Sequence, residues 1–266
     1  MRLAYPNDRV NWYLIAEEVE KNFNPALGFV SRGGIRNYYT GYRFRHRPRR
    51  WLRTIDHRLA GNLVTDNDDH FKSGRIEFEP VTIANAAGDS LRLVYARVFE
   101  SPDVGDEIQG ISILSGNRSW DRYKVAIASS DGRLFSAGMI VSWGGFFGGD
   151  RLTLKPNLAL RPSRYLVLTI AYQYNDISLP LGNVVSHQAS MKTDVQFSPT
   201  LSWNTFVQYD NLSATVGINT RLRWIMAPGR EFFAILNHGL STEKGRAKRG
   251  ETQPRAKIGR TLPLQT

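Results

Sequence analysis

The chain has 266 residues, 41% of them hydrophobic, and a formal net charge of +11 at pH 7. No apolar run of about 18 residues occurs, which excludes a transmembrane helix. The sequence contains no cysteine, so disulfides, thiolate nucleophiles and cysteine-ligated zinc sites are excluded together. No recognised nucleic-acid-binding motif accompanies the basic charge, and we therefore expect no nucleic-acid partner.

Strands are predicted from the first third of the chain onward, although the alternation is uneven there. Apolar and polar residues alternate over Gly33–His46, Trp51–Thr65 and Leu91–Phe99, and the register of these segments stays open. Acidic side chains recur with the strand period at Glu77 and Glu79, which places both on one face. This pair is either an acid–base pair or, with a neighbouring arginine, a structural ion-pair ladder, and we favour the ladder.

Four later segments alternate with period two for longer than soluble strands usually do. They are Leu166–Asn175, Ser186–Ser198, Leu201–Asp210 and Val216–Met226. In the second segment, Met191 and Val195 fall on one face, whereas Lys192 and Asp194 fall on the other. Each segment therefore predicts a strand with one face suited to lipid and one to water, and Phe206 is an exception on a polar face.

The connections predict an up-and-down meander, because tight turns and longer loops alternate along the chain. The tight turns contain Pro, Gly or Asp and lie at His46–Arg50, Asn85–Asp89, Ser129–Gly132, Arg161–Arg164, Ser198–Thr200 and Ala227–Arg230. The longer connections are Glu20–Arg32, Asp66–His70, Ser101–Ser119, Gly144–Asp150, Asp176–Val185 and Leu240–Gln253, with Asp210–Ser213 as a short exception.

Aromatic residues gather near both ends of these strands, as they do in the interfacial girdles of membrane barrels. Those beside the tight turns are Trp51, Tyr165, Phe197, Trp203 and Trp224. Those beside the longer loops are Trp143, Tyr174 and Tyr209.

We therefore predict an all-β fold, namely an antiparallel up-and-down transmembrane β-barrel of about 14 strands, complete or part of a larger barrel. The barrel is expected to occupy residues 1–239. Residues 240–266 form a basic tail that is either the last strand or disordered. A soluble β-sandwich or β-propeller is the alternative, but no repeat of blade length is visible.

Two stretches carry a family resemblance: NFNPALGFVSRGGIRNYY at Asn22–Tyr39, and the longer segment Ser198–Gly239 with its QYDN, RLRW and APGR elements. They resemble the C-terminal barrel domain, of unknown function, of bacterial envelope proteins that begin with a carbohydrate-binding module of family-nine type. The resemblance implies an outer-membrane barrel. The module has no counterpart here, so we expect a barrel truncated on its N-terminal side, with a missing or separately encoded carbohydrate-binding partner.

No catalytic or metal-binding motif is found. The acidic loop Asp66–His70 begins a calcium-loop pattern, but Phe71 stands where that pattern requires glycine. The five histidines lack HExxH spacing, and no GxSxG motif is present. Gly144–Gly149 lacks the Lys-Ser/Thr of a phosphate loop, so we interpret it as a flexible loop tip. We predict no cofactor, no metal and no enzymatic activity.

Charged residues on the water-facing sides of the strands remain as candidate functional residues. Those predicted to line a lumen are Arg43, Arg45, Arg75, Glu77, Glu79, Arg122, Lys124, Lys155, Lys192, Asp194, Arg221 and Arg223. An electropositive open lumen would favour anionic solutes, whereas the same side chains would fill a closed barrel. The sequence leaves both possibilities open.

The leading hypothesis is a non-enzymatic barrel in the bacterial outer membrane, in contact with its lipid, that anchors a partner domain or passes a solute. The alternatives are the barrel part of an envelope glycan-processing hydrolase and a soluble β-rich binding module. The period also predicts that neighbouring residues differ: Leu168→Arg should impair membrane insertion and Thr169→Arg should be tolerated. Val195→Arg and Asp194→Arg form a second such pair.

Overall fold

The computed structural model describes residues 1–24, 33–48 and 51–241, together with the backbone of residues 248–260. No helix in this part of the chain is long and apolar enough to cross a membrane. The strands are β1 (Arg2–Tyr5), β2 (Val10–Val19), β3 (Ile35–His46), β4 (Leu52–Asp66), β5 (Phe71–Asn85), β6 (Ser90–Glu100), β7 (Glu107–Ile108), β8 (Ile111–Ser112), β9 (Arg118–Ala128), β10 (Phe135–Phe146), β11 (Gly149–Ser163), β12 (Leu166–Leu179), β13 (Gly182–Ser198), β14 (Leu201–Asp210), β15 (Thr215–Ala227), β16 (Arg230–Ser241) and β17 (Lys248–Arg260).

The strands form one sheet of fifteen in chain order, with β7 and β8 set apart as a separate hairpin. The pairs from β1 to β9 and from β13 to β17 are antiparallel, which confirms the predicted all-β, up-and-down architecture. Strand β13 reaches 17 residues. The basic tail contributes β17, whose backbone pairs with β16, while residues 242–247 and 261–266 lie outside the described part. Residues 25–32, the centre of the first stretch that carries the family resemblance, also lie outside the described part.

Two predicted loops are wrong, because they are two-residue turns. Strands β10 and β11 are joined by residues 147–148, and β12 and β13 by residues 180–181. Phe147 and Gly148 both have positive φ, at 49° and 87°, which is the backbone of a tight hairpin turn. The longest connection between described strands is 101–117, which contains the β7–β8 hairpin. The regular alternation of short and long connections is therefore not observed.

The chain divides into two compact units. Unit 1 comprises Met1–Ala128, Ile140–Thr153 and Asp176–Val184. Unit 2 comprises Ser129–Met139, Leu154–Asn175 and Val185–Thr266.

In unit 1, the strand registers separate an apolar face from a polar face. One row of directly paired residues defines the apolar face: Trp12, Tyr42, Leu59, Phe78, Tyr95 and Tyr123. One row that includes charged residues defines the polar face: Gly41, Ala60, Glu77, Ala96 and Arg122. Buried residues such as Ala96 and Val94 lie on the polar face. The β5 register shifts between Phe78 and Val81, where Pro80 has no N–H to donate.

In unit 2, the same separation holds from β13 to β16. The apolar face is defined by the row Val195, Trp203, Leu222 and Ala234. The polar face is defined by the row Asp194, Asn204, Arg221 and Ile235. Because side chains alternate between faces with period two, each row fixes the orientation of the other residues on its strands.

Candidate functional site

The charged residues predicted from the alternation lie together on the polar faces. Seven of them share the polar face of unit 1: Arg43, Arg45, Arg75, Glu77, Glu79, Arg122 and Lys124. Four share the polar face of unit 2: Lys192, Asp194, Arg221 and Arg223. Lys155 lies on the same face of β11 as the buried Ala159, because the two are an even number of residues apart on the strand.

Three carboxylates near the centre of the polar face of unit 1, Asp56, Glu77 and Glu79, each lie against an arginine. Asp56 accepts two hydrogen bonds from Arg45, both at 2.7 Å. Glu77 pairs with Arg75 at 2.7 Å between Oε2 and Nη2.

Glu79, only 6% exposed, faces the Arg58 guanidinium at 3.4 Å. The two glutamates therefore share a face as predicted, but they bind different arginines. This arrangement supports an ion-pair ladder, because a buried carboxylate needs a charge partner. Arg58 was absent from the sequence prediction, and only the β3–β4–β5 register places it between Arg43 and Glu79.

The turn between β1 and β2 extends the ladder to the edge of unit 1. Asp8 accepts hydrogen bonds from Arg47 at 2.6 and 2.7 Å and from Arg45 at 3.2 Å. The hydrogen bonds from Arg47 lower the pKa of Asp8 from its usual 3.8 to about 2. Asp8 therefore stays ionised well into the acid range.

The polar face of unit 2 combines ion pairs with an arginine–aromatic stack. Arg223 binds Glu231 through two hydrogen bonds, of 2.6 and 3.2 Å. The Arg221 guanidinium lies 4.6 Å from the centroid of the Phe233 ring, a cation–π distance. Asp194 accepts a hydrogen bond from Asn204 at 2.6 Å and pairs with Lys192 at 2.9 Å. Neither Phe233 nor Glu231 stands out in the sequence, because β16 carries apolar residues on both faces.

Phe206 lies on the polar face of unit 2, as its sequence position predicted. It is paired with Lys192 and Asn219 on the neighbouring strands. A cavity of about 520 Å³ lies beside it, lined also by Gln208, Asp210 and other polar residues. The cavity exists because Gly217 and Gly239 are directly paired and neither contributes a side chain.

The acidic β4–β5 loop is a turn closed by its own side chains. Asp66, Asp68 and His70 bring their ligand atoms within 4.8 Å of one another. However, Asp66 Oδ1 accepts the backbone N–H groups of Asp68 and His70, both at 2.9 Å. Asp69 binds Arg36 at 2.6 Å, and Asp68 pairs with Lys21 at 3.8 Å. The carboxylates of all three aspartates are therefore already engaged within the protein.

The glycine-rich segment Gly144–Gly149 is not the flexible loop tip that we expected. The Phe147 ring lies 4.6 Å from that of the buried Trp120, and the Phe146 ring 6.1 Å from it. A Cβ at Gly149 would overlap the carbonyl oxygen of Ser178, so the chains approach too closely for any side chain. The segment is a packed turn, because its aromatic residues point inward and its glycines admit a neighbouring backbone.

The apolar face of unit 1 is widely exposed. Thirteen of its large side chains are 37–51% exposed: Leu3, Tyr5, Trp12, Leu14, Tyr38, Tyr42, Leu59, Leu63, Phe71, Ile76, Phe78, Tyr123 and Ile127. A groove of about 520 Å³ crosses this face at Gly61 and Gly74. Two ion pairs also lie on it. Arg97 is 2.8 Å from Asp121, to which the Tyr95 hydroxyl donates at 2.7 Å, and Arg36 is 3.1 Å from Glu18 at the ends of β3 and β2.

The apolar face of unit 2 is exposed as well, and most of its predicted girdle residues lie at strand ends. Those more than 36% exposed include Tyr165, Phe197, Trp203, Trp224 and Tyr209. Polar atoms on this face bind one another. Thr205 and Thr220 hydroxyls are 2.8 Å apart, and the Trp203 indole donates to Thr220 at 2.7 Å.

No family model matches the chain, and no curated protein or solved structure is detectably similar to it. Nothing in these comparisons points to a catalytic family. The resemblance to the barrel domain of envelope proteins stays a prediction.

Proposed function

We propose that this chain is a non-enzymatic β-barrel of the bacterial outer membrane that anchors a partner domain or passes a solute. The observation that carries the proposal is which face of the sheet is exposed to solvent. In both units the apolar face is exposed, whereas the polar face carries ion pairs and, in unit 1, most of the buried residues. A water-soluble sheet has the opposite arrangement, with its apolar face against the core.

The exposed apolar area is too large for a soluble monomer. At roughly 200 Å² for each large side chain, about half exposure of the thirteen residues in unit 1 leaves on the order of 1,000 Å² of apolar surface. The largest apolar patch of a soluble monomer is about 300–600 Å². Lipid removes this penalty, because acyl chains are as apolar as the side chains that they contact.

The polar groups on the apolar faces also suit lipid contact. In a bilayer core a polar group without a partner costs several kcal/mol, on the order of one lost hydrogen bond or more. Thr205, Thr220 and the Trp203 indole satisfy one another. Arg97 and Asp121 form a closed pair, and Arg97 lies three positions before Glu100, the end of β6. A paired charge near a strand end is the arrangement that a membrane tolerates best.

The test is refolding of the purified chain into lipid vesicles. We expect a heat-dependent gel shift, in which the unboiled protein migrates differently from the boiled protein. Lipids brominated on their acyl chains should quench the fluorescence of the exposed Trp203 and Trp224. The same chain in buffer without detergent is the control, and we expect it to aggregate. Two results together would overturn the proposal: a chain that is folded and monomeric in plain buffer, and no quenching of its tryptophan fluorescence when vesicles of brominated lipid are added.

A further inference from the structure

The polar face of unit 1 carries more positive than negative charge. The registers arrange its charged residues in adjacent rows of paired positions. The first row is Arg45, Asp56, Thr82 and Arg92, and the second is Arg43, Arg58 and Glu79. The next two rows contain Glu77 with Arg122, and Arg75 with Trp120. Lys124 is paired with Val94, opposite the β5 irregularity at Glu79 and Pro80.

In these rows, three carboxylates account for only three of seven cations. Asp56 binds Arg45, Glu77 binds Arg75, and Glu79 faces Arg58. Among the described residues, no carboxylate is within ion-pair distance of the remaining four: Arg43, Arg92, Arg122 and Lys124. Within these rows, seven cations and three carboxylates leave an excess of four positive charges. The next row of the face adds Glu17 and Glu100 with Arg118.

Arg122 and Arg43 present their N–H donors less openly than Arg92 and Lys124 do. Arg122 is fixed by the structure, since its guanidinium donates to the carbonyls of Gly144 and Arg151 at 3.0 and 2.6 Å and to Ser142 at 2.9 Å. It contributes positive potential rather than free donors. Arg43 is directly opposite Arg58, and its buried Nε has no hydrogen-bond partner in the described part.

Arg92 and Lys124 are diagonal neighbours on the polar face. They lie on adjacent strands, two positions apart in the register, because Arg92 is paired with Ala126. Such diagonal neighbours are close enough for long side chains to meet. Of the charges around the Lys124 ammonium, Glu77 acts on it most strongly and favours its charged form, whereas Arg92 and Arg75 repel it.

We infer that Arg92 and Lys124 bind the phosphate or carboxylate groups of an anionic solute on the polar face of unit 1. A guanidinium presents two parallel donors to such a group, and the ammonium adds a compact charge. Arg122 and Arg43 raise the potential around the site. The inference rests on the proposed function in one respect, since it names the class of solute that a lumen lined by this face would admit.

The experiment measures binding of pyrophosphate and, separately, of citrate to the full chain in detergent micelles by titration calorimetry. The wild-type chain should bind at least one of them, with an affinity that falls as salt is added. Arg92→Gln with Lys124→Gln should weaken binding by at least about tenfold, equivalent to about 1.4 kcal/mol. The two anions distinguish a phosphate solute from a carboxylate solute.

The control exchanges two exposed turn cations, Arg164→Gln with Arg230→Gln, and so removes the same charge. This control should bind as the wild type does. Equal loss in both double variants, or no loss in the first, would overturn the inference, as would the absence of saturable binding of either anion. Lys124→Arg should retain binding, which separates loss of charge from loss of fold.

The urea midpoint of unfolding gives a second measurement. If Arg92 and Lys124 had a purely structural role, replacing them would lower it. Because the neutralised pair consists of like charges, the urea midpoint of the Arg92→Gln, Lys124→Gln chain without ligand should equal or exceed that of the wild type. Membrane insertion is scored independently by the heat-dependent gel shift. A chain that binds pyrophosphate but fails to insert would refute the proposed membrane location alone.

Discussion

Val207 and Gln208 are adjacent residues of β14 whose side chains lie on opposite faces of the sheet. Val207 is paired with Met191 and Ile218 on the apolar face. Gln208 is on the polar face and lines the cavity of about 520 Å³. We expect Val207→Arg to block folding into lipid and Gln208→Arg to be tolerated.

The magnitude follows from the position of Val207 along its strand. It lies about one and a half residues from the centre of β14, or roughly 5 Å at about 3.4 Å per residue. With strands tilted at about 45°, this corresponds to roughly 4 Å from the bilayer midplane. A lipid-facing arginine near the midplane costs roughly 2–4 kcal/mol. About 3 kcal/mol lowers the ratio of folded to unfolded chain by about a hundredfold.

Gln208→Arg introduces the same side chain into a different setting. Its directly paired neighbour Gly217 has open space around the position of a Cβ, so the larger side chain has room. Asp210 lines the same cavity and can offset the new charge. We expect a change of less than about fivefold in the folded fraction, or roughly 1 kcal/mol.

The assay is the folded fraction in lipid vesicles across a urea series, read from the heat-dependent gel shift. Val195→Arg and Asp194→Arg repeat the comparison on β13, where Val195 lies on the apolar face. We expect Asp194→Arg to cost more stability than Gln208→Arg, because it removes the ion-pair partner of Lys192. If both members of a pair fold equally well, or if the polar-face variant is the more damaging, the assignment of faces is refuted.

Two further predictions concern the packed turn at Gly149 and the turn between β1 and β2, which contains Asp8. Gly149→Ala should lower the unfolding free energy by roughly 1–3 kcal/mol, because its Cβ would overlap the Ser178 carbonyl. Gly217→Ala, in open space, is its control and should stay within about 0.5 kcal/mol of the wild type in urea unfolding. The ion pair of Asp8 with Arg47 should contribute stability above pH 3.8 that is lost as the pH falls through about 2, since the folded pKa is the lower one. Asp8→Asn should therefore lose less of its urea midpoint between pH 5 and pH 2 than the wild type, and an identical loss would contradict this.

The amino-acid sequence by itself determined the faces of the sheet, because side chains on a strand alternate with period two whatever the strand is paired with. The exposed Ile170 and the buried Asn175 lie on opposite faces of β12, as the alternation predicted. The same reasoning placed Phe206 on a polar face and grouped Glu77 with Glu79.

Only the tertiary structure decided which charged residues meet. Arg58 lies between Arg43 and Glu79, and Phe233 lies beneath Arg221, because of registers that join residues distant in the chain. A shift of one residue in register would exchange the faces of a strand, and no local pattern fixes that choice where bulges interrupt the ladder. The turn at Gly149 was missed for a similar reason, since its glycines are needed for a close approach to Ser178 rather than for flexibility. Alternation is a property of one strand, whereas charge pairing and backbone approach are properties of two.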